Sequence, residues 1–365
     1  MNPLATSFKK MSLRYLAATV FVGFSALSEA TPLTFNSGDY YSSNFFESSI
    51  TQYSPAGQVL STMTVSGLNS GETLKGIAFG PDGLLYATVD PIFAGGGTKS
   101  RVIAIDASGT IQASYQYDAW LSGNLSYGKL VFDNAGHLFL GTGVGLARFD
   151  LGASASAALV WSGSDVFDAT VLPSGNLVVA SGNELLELTA DGQFVRNIGL
   201  SDPNDIAQQS LSGCFHLNDF RGVEFDAATN QLFATMLGNS GCGSSLFFKT
   251  MQFDWTSGEL TAIDSFTYGD DLFLASDDLI IEGSRTEAPR LIRVADLSTV
   301  TSFEGPAQMF VTQYTKVPEP GTTWLFAVSL FILLRVPGRT GRFLRSTTEL
   351  AYLFKRRSTA RGGIR

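Results

Sequence analysis

Two histidines and two cysteines are all that 365 residues offer of the side chains most often used as bases, nucleophiles and soft metal ligands. No Gly-x-Ser-x-Gly elbow, Walker loop or His-Glu-x-x-His helix is present, which removes the commonest hydrolase, nucleotide-binding and zinc-protease readings. Charged residues make up only 16% of the chain. Lys and Arg are scarcest where the bulk of the protein lies. Between residues 31 and 334 there are 12 of them against 31 Asp and Glu, a formal charge of −19, whereas the whole chain carries −9. So acidic a body repels phosphate, which excludes nucleic acid as a partner. Its surface carboxylates read first as solubilising groups, with divalent cations or basic partners as the alternative.

What is abundant is glycine (38) and phenylalanine (28), a composition suited to many short strands joined by tight turns. Lining up the turns exposes a repeat. Gly76-Ile77-Ala78-Phe79 passes through Pro81-Asp82-Gly83 into the apolar run 84–89, then 101–106, the turn Ala107-Ser108-Gly109, and 110–115. The same order returns from Lys129-Leu130-Val131-Phe132 through Asn134-Ala135-Gly136 to 137–141 and 146–151. It returns again from 168–172 through Pro173-Ser174-Gly175, 176–180, 184–189, Ala190-Asp191-Gly192 and 193–198. A fourth copy runs from Gly222-Val223-Glu224-Phe225 through 226–230, 231–236, 246–254, Thr256-Ser257-Gly258 and 259–266. Weaker copies flank these: 39–44, 48–53 and 58–64 lack a first strand, and 272–281, 291–297 and 299–303 form a partial unit with 308–314 as a spare strand.

Four-stranded units at a spacing of about 40 to 55 residues predict an all-β chain built as a β-propeller, since a blade cannot bury both faces until neighbours stack on it. If the spare strand completes the first unit, the ring closes with mixed termini and six blades result; seven is the alternative count, and a β-sandwich pair the competing architecture. The repeats resemble NHL-like and gluconolactonase-like propellers, and no Gly-His to Trp-Asp signature marks the WD40 version.

Three features lie outside the repeats. Residues 1–30 read as a signal peptide: Lys9, Lys10 and Arg14 precede an apolar run over 15–27, and Ser28-Glu29-Ala30 supplies the small residues of a cleavage site. A run of 13 residues falls short of the roughly 20 that span a bilayer. Residues 31–316 then form the propeller domain. At the other end Val317-Pro318-Glu319-Pro320-Gly321-Thr322 is followed by an apolar run over 324–334 and by Arg335, Arg339, Arg342 and Arg345. That order over 317–345 resembles the PEP-CTERM sorting signal of Gram-negative bacteria. The resemblance implies a short transmembrane helix held in the inner membrane, processing by an exosortase, and delivery to the cell envelope, cell surface or extracellular matrix. Two prolines bar a helix from running back into the domain, and the arginines hold the far end in the cytoplasm. Arg335 interrupts the apolar run early, and a basic extension, 346–365, lies beyond the family's pattern.

Chemistry is confined to a few candidates. His137 follows a turn glycine and reads as a turn or surface residue. His216 lies in Cys214-Phe215-His216-Leu217-Asn218-Asp219, ahead of the fourth repeat. Asn218 and Asp219 look like the Asn-Asp step that supplies a metal ligand in the gluconolactonase family, and their oxygens suit a hard cation such as calcium. Asp165, Asp168, Asp270 and Asp271 are the acids that neighbouring blades could add. Against this, Asx residues are favoured in turns for their own backbone hydrogen bonds. The expected protein is therefore a non-enzymatic binding or structural module without a cofactor, with exosortase and an envelope polysaccharide or surface protein as partners. The alternative is a calcium-dependent lactonase-like hydrolase with its site at the channel mouth.

Cys214 and Cys242 both sit in Ser-Gly-Cys contexts within the exported region. In an oxidising compartment they are expected to pair, closing a loop of about 27 residues and stabilising the fold by roughly 3 kcal/mol. Mass analysis of the mature protein should find an N-terminus at Thr31 and no thiol open to alkylation until a reductant is added. An intact leader with two freely labelled thiols would contradict both expectations.

Overall fold

The computed structural model describes residues 34–44, 46–90, 100–116, 128–151, 156–198, 215–240, 246–263, 269–276, 278–284 and 287–315. These form a six-bladed β-propeller of six four-stranded antiparallel sheets, with no helix among the described residues. Blade 1 contains β1 (Tyr40–Ser43), β2 (Ser49–Tyr53) and β3 (Val59–Thr64). Blade 2 contains β4 (Thr73–Phe79), β5 (Leu85–Asp90), β6 (Arg101–Ile105) and β7 (Ile111–Gln116). Blade 3 contains β8 (Leu130–Phe132), β9 (Leu138–Thr142), β10 (Gly145–Asp150) and β11 (Ser156–Ser162). Blade 4 contains β12 (Val166–Val171), β13 (Leu177–Ser181), β14 (Glu184–Leu188) and β15 (Phe194–Asn197). Blade 5 contains β16 (Phe215–Asp226), β17 (Gln231–Ser240), β18 (Leu246–Asp254) and β19 (Leu260–Ile263). Blade 6 contains β20 (Asp271–Ser276), β21 (Leu279–Gly283), β22 (Arg290–Arg293) and β23 (Thr299–Ser302). The last strand, β24 (Phe310–Gln313), returns to pair with β1, so blade 1 reads β24-β1-β2-β3.

The six-blade count and the mixed-termini closure expected from the spare strand are therefore what the fold contains. Two details differ from the sequence reading. Blade 3 has a fourth strand, β11, whose Ser-Ala-Ala start shows none of the apolar alternation that marks the others. In blade 6 the run 272–281 is two strands rather than one: β20 and β21 are a tight hairpin in which Leu272 faces Glu282 and Ser276 faces Leu279.

Why each sheet needs its neighbours is visible in the burial. Inner and middle strands alternate their side chains between two faces, yet both faces are apolar; β5 and β13 are buried along their whole length. The buried residues fall into six clusters, one per blade interface. Leu74, Ile77 and Ile103 of blade 2 meet Tyr41, Ile50 and Phe310 of blade 1, while Leu272, Ile280 and Ile292 of blade 6 meet Phe233 of blade 5. At about 1.5–3 kcal/mol for each large side chain removed from water, no blade could stand alone. The hairpin turns follow the glycines that announced them: Gly83 (φ 78°) and Gly175 (φ 86°) take left-handed conformations that a side chain would resist.

Near the axis the blades approach too closely for side chains at some positions. A Cβ on Gly283 of blade 6 would lie 2.0 Å from the Met309 carbonyl oxygen, just ahead of β24, and one on Gly76 would lie 2.2 Å from that of Gly128. Gly283→Ala must push the closing strand outward. We expect a loss of about 1–3 kcal/mol in urea unfolding, whereas Gly38→Ala, which meets nothing within 4 Å but has a φ of 93°, should cost only its backbone strain of about 1–2 kcal/mol. A Gly283→Ala loss no larger than that of Gly38→Ala would argue against the close approach.

Candidate functional site

Each blade's innermost strand enters the ring from one face, called here the entry face, and the first hairpin turn lies at the other. The innermost strands β4, β8, β12, β16, β20 and β24 pack side by side around the axis. The core residues Ile77, Leu130, Ala169, Val223, Leu272 and Val311 hold equivalent places on them, one in each interface cluster. The residue just before each forms a second equivalent column: Gly76, Lys129, Asp168, Gly222, Asp271 and Phe310, the last packed in the core between blades 1 and 2. One lysine and two aspartates thus stand at the same level of the ring. Glu224, two residues beyond Gly222 on the same strand, joins them.

Lys129 organises the group. Its Nζ lies 3.7 Å from Asp168 Oδ2, 3.4 Å from Glu224 Oε2 and 3.5 Å from Asp271 Oδ1, and it donates a hydrogen bond to the main-chain carbonyl of Leu272. Blade 3 is opposite blade 6 in a six-membered ring, so this side chain reaches across the axis. The side chains of Lys129, Asp168 and Asp271 are 7%, 1% and 2% exposed. The carboxylates also tie blade to blade. Asp168 Oδ2 accepts the Val223 amide at 2.8 Å, Asp271 Oδ2 accepts the Val311 amide at 3.4 Å, and the Thr170 hydroxyl donates to Glu224 Oε1 at 3.0 Å. Every blade from 3 to 6, and the closing strand, is therefore joined in one polar network.

Its protonation follows from burial against charge. Burial would strip the Lys129 ammonium of its proton, but the facing carboxylates of Asp168, Asp271 and Glu224 outweigh that and hold its pKa above the ordinary lysine value. Burial raises Asp168 well above the usual carboxylate range despite Lys129, with Asp271 and Glu224 adding to the rise. Burial likewise pushes Asp271 up to about 6, Lys129 opposing it. A cation fixed among three acids leaves a surplus of negative charge, which the buried carboxyls relieve by holding on to a proton.

A second buried lysine, Lys75, lies next to Gly76 at a bulge of β4 and pairs with Asp90. Burial lowers its pKa, Asp90 resisting. Bulges recur at Phe167 in β12 and Arg221 in β16, and they bring the Arg221 guanidinium 4.0 Å over the Phe167 ring.

Of the residues singled out from sequence, Asp168 of blade 4 and Asp271 of blade 6, on either side of blade 5, are brought together around Lys129. Asp165 is exposed, and Asp270 is buried with its amide bonded to Gly283 O at 2.7 Å. Asn218 and Asp219 lie within β16 rather than in a loop, because that strand and β17 continue their pairing to Phe215↔Ser240, past the length of the other blades. Asp219 is engaged by Arg221 at 3.0 Å; the side chains of Asn218 and His216 lie outside the described residues, as do Cys214, Cys242 and everything from residue 316 onward, sorting motif and basic flank included. His137 is a turn residue, bonded through Nδ1 to Asp133 Oδ2 at 2.8 Å. No group of three or more His, Cys, Asp or Glu side chains among the described residues is arranged to hold a metal ion. Sequence reasoning missed Lys129 and Glu224, although the repeats themselves begin on the column that contains Lys129.

No protein-family model and no curated protein matches the chain. Several solved structures resemble it at low identity. A gluconolactonase from Xanthomonas campestris is 13% identical with a TM-score of 0.44, covering 77% of this chain and 89% of its own. BamB from Moraxella catarrhalis is 12% identical with a TM-score of 0.40, covering 78% and 88%. A protein of unknown function from Bacteroides caccae is 12% identical with a TM-score of 0.42, covering 61% and 76%.

Lys129→Met should leave three acids facing one another without a cation. We expect it to cost about 3–5 kcal/mol at neutral pH, measured by urea unfolding. The sign of the pH dependence is set by the raised carboxyl pKa values: such groups favour the fold while protonated, below the ordinary carboxylate value of about 4, and that contribution is lost as pH rises through the raised values. The variant, with no lysine to oppose the rise, should fall off more steeply, so its deficit should narrow on going from pH 8 to pH 5. An equal deficit at both would show that the network carries no such charge imbalance.

Proposed function

We propose that this chain is an exported β-propeller that works as a non-enzymatic binding or structural module at the bacterial cell surface or in the extracellular matrix, delivered through its PEP-CTERM-like C-terminal signal and an exosortase. The observation that carries the non-enzymatic part is Lys129. The point on the axis where acids from three blades converge, and where a cation or a substrate would be drawn, is filled by the protein's own ammonium group. A lysine held protonated is neither a nucleophile nor a base. A general acid must reach the group it protonates, and Asp168 and Asp271, 1% and 2% exposed, are buried around Lys129. The ion-paired Asp219 is likewise already neutralised by Arg221. The acidic, six-fold body offers a rigid disc, and its formal charge of −19 over residues 31–334 favours uncharged or basic ligands.

Delivery rests on the signals at the two ends: a leader, and the order of Pro-Glu-Pro, apolar run and arginines. The propeller finishes with β24 at Gln313, four residues before Val317, so the sorting segment follows the folded domain with almost no linker.

Metal analysis of the purified protein, together with lactone hydrolysis before and after chelation, tests the activity. No turnover, and a melting temperature unmoved by a chelator, are expected. Chelation-sensitive hydrolysis would replace this reading with that of a calcium-dependent lactonase-like enzyme.

A further inference from the structure

On the face opposite the entry face, an open groove of about 460 Å³ runs between blades 5 and 6, lined by Gln231, Gln252, Thr261, Asp278 and Val294, with Thr229, Ala262 and Ala295 completing it. Its place follows from the chain path. Thr229 lies in the turn between β16 and β17, Asp278 in the turn between β20 and β21, and Val294 and Ala295 follow β22, all turns of that face. The described turns there are short and closely hydrogen-bonded, for example Trp255 N–H to Asn230 O at 3.2 Å and Val294 N–H to Asp278 O at 2.9 Å. The groove is thus bordered by rigid backbone.

Gln252 is the residue that a purely structural wall does not explain. Its strand neighbours Met251 and Phe253 pack into the core between blades 4 and 5, so alternation turns Gln252 the other way, toward blade 6. There it sits opposite Phe233 and Ala262, two members of the apolar cluster between blades 5 and 6. The residue is only 8% exposed, yet among the described residues its carboxamide makes no hydrogen bond; the Thr261 hydroxyl reaches its main-chain oxygen instead, at 3.0 Å. Its polar atoms are not among those sealed from solvent, so they open to the groove, where water or a ligand can take up their donors and acceptors. Beside it Gln231 Oε1 receives only a long bond of 3.4 Å from Thr261, and Asp278 has one oxygen committed to the Ser276 hydroxyl at 2.7 Å.

The groove is therefore lined by two carboxamides, one carboxylate and two hydroxyls that donate to Asp226 and to the Gln252 main-chain oxygen and can still accept, together with the apolar Ala262, Val294 and Ala295. Among the described residues, no cationic side chain lines it. Amides that both donate and accept, beside small apolar groups, match the alternating hydroxyls and C–H faces of a sugar, and the lone carboxylate rejects an acidic one. We infer that this groove between blades 5 and 6 is a binding site for a neutral glycan, with Gln252 as its central hydrogen-bonding residue. The inference rests on the binding-module reading above and deepens it, placing the ligand away from the channel axis.

The test uses the full chain and four neutral hexasaccharides (maltohexaose, cellohexaose, chitohexaose and mannohexaose), with polygalacturonate oligomers as the anionic counterpart, each titrated to millimolar concentration by calorimetry. At least one neutral hexasaccharide should bind and the polygalacturonate oligomers should not. Gln252→Met, which keeps the length and unbranched shape of the side chain, and Thr261→Val should each weaken that binding about tenfold with melting temperature retained, while Phe194→Ser on the outer strand of blade 4 should leave it unchanged. Failure of all four neutral sugars overturns the inference, as does preference for polygalacturonate. Binding that ignores Gln252→Met overturns the groove assignment while leaving the binding-module reading in place. Chelation-sensitive lactone turnover would remove that reading without altering the sugar titration.

Discussion

A sheet that is apolar on both faces cannot stop at one neighbour, and that single constraint accounts for most of this molecule. Each blade alone would expose one of its two buried faces; each added blade covers one and brings another. Only a closed ring ends the series. The six interface clusters, each built from two adjacent blades, are the physical form of that closure, and β24 is the piece that makes it possible, because blade 1 lacks an inner strand of its own until the chain returns.

Closure brings six inner strands to the axis, where there is little room and no water-like environment. Positions on this column are met with glycine, with an aromatic ring at Phe310, or with charge. Where charge is used it is internally matched: the Lys129 ammonium sits among Asp168, Asp271 and Glu224, and the carboxylates accept amides from the next blade. Such a network contributes little net stability relative to an apolar core, but it is intolerant of losing a member, so it fixes the relative placement of the blades more than it strengthens them.

The fold was legible because its signals are local. Gly83, Gly109, Gly136, Gly175, Gly192 and Gly258 mark hairpins by their need for positive φ, and the apolar runs between them have strand length. Two elements escaped for reasons that are equally local: β11 begins Ser-Ala-Ala and shows no alternation, and the β20–β21 hairpin turns on Ser276 and Asp278, without the glycine or proline that punctuated the others. The axial network was less legible. Asp168 and Asp271 could be named as acids for neighbouring blades to add, but a lysine between them is a property of the ring's geometry. The signal was nonetheless present as a column, since the repeats open on Gly76, Lys129, Asp168 and Gly222; opposite charges in one column of a propeller repeat can only meet at the axis. Asn218 and Asp219 suggested a turn because Asx residues favour one, whereas here the β16–β17 ribbon runs longer than its counterparts and carries them within a strand.

The seam has a temporal meaning as well. Its two halves, β1 and β24, come from opposite ends of the domain, some 270 residues apart in the chain, and β24 is the final strand among the described residues. Until it emerges, the nascent polypeptide holds open sheets without a lock, and loop closure over that span is slow and late. A chain in this condition has no ring to pull apart, and it snaps shut only once nearly all of it has been made.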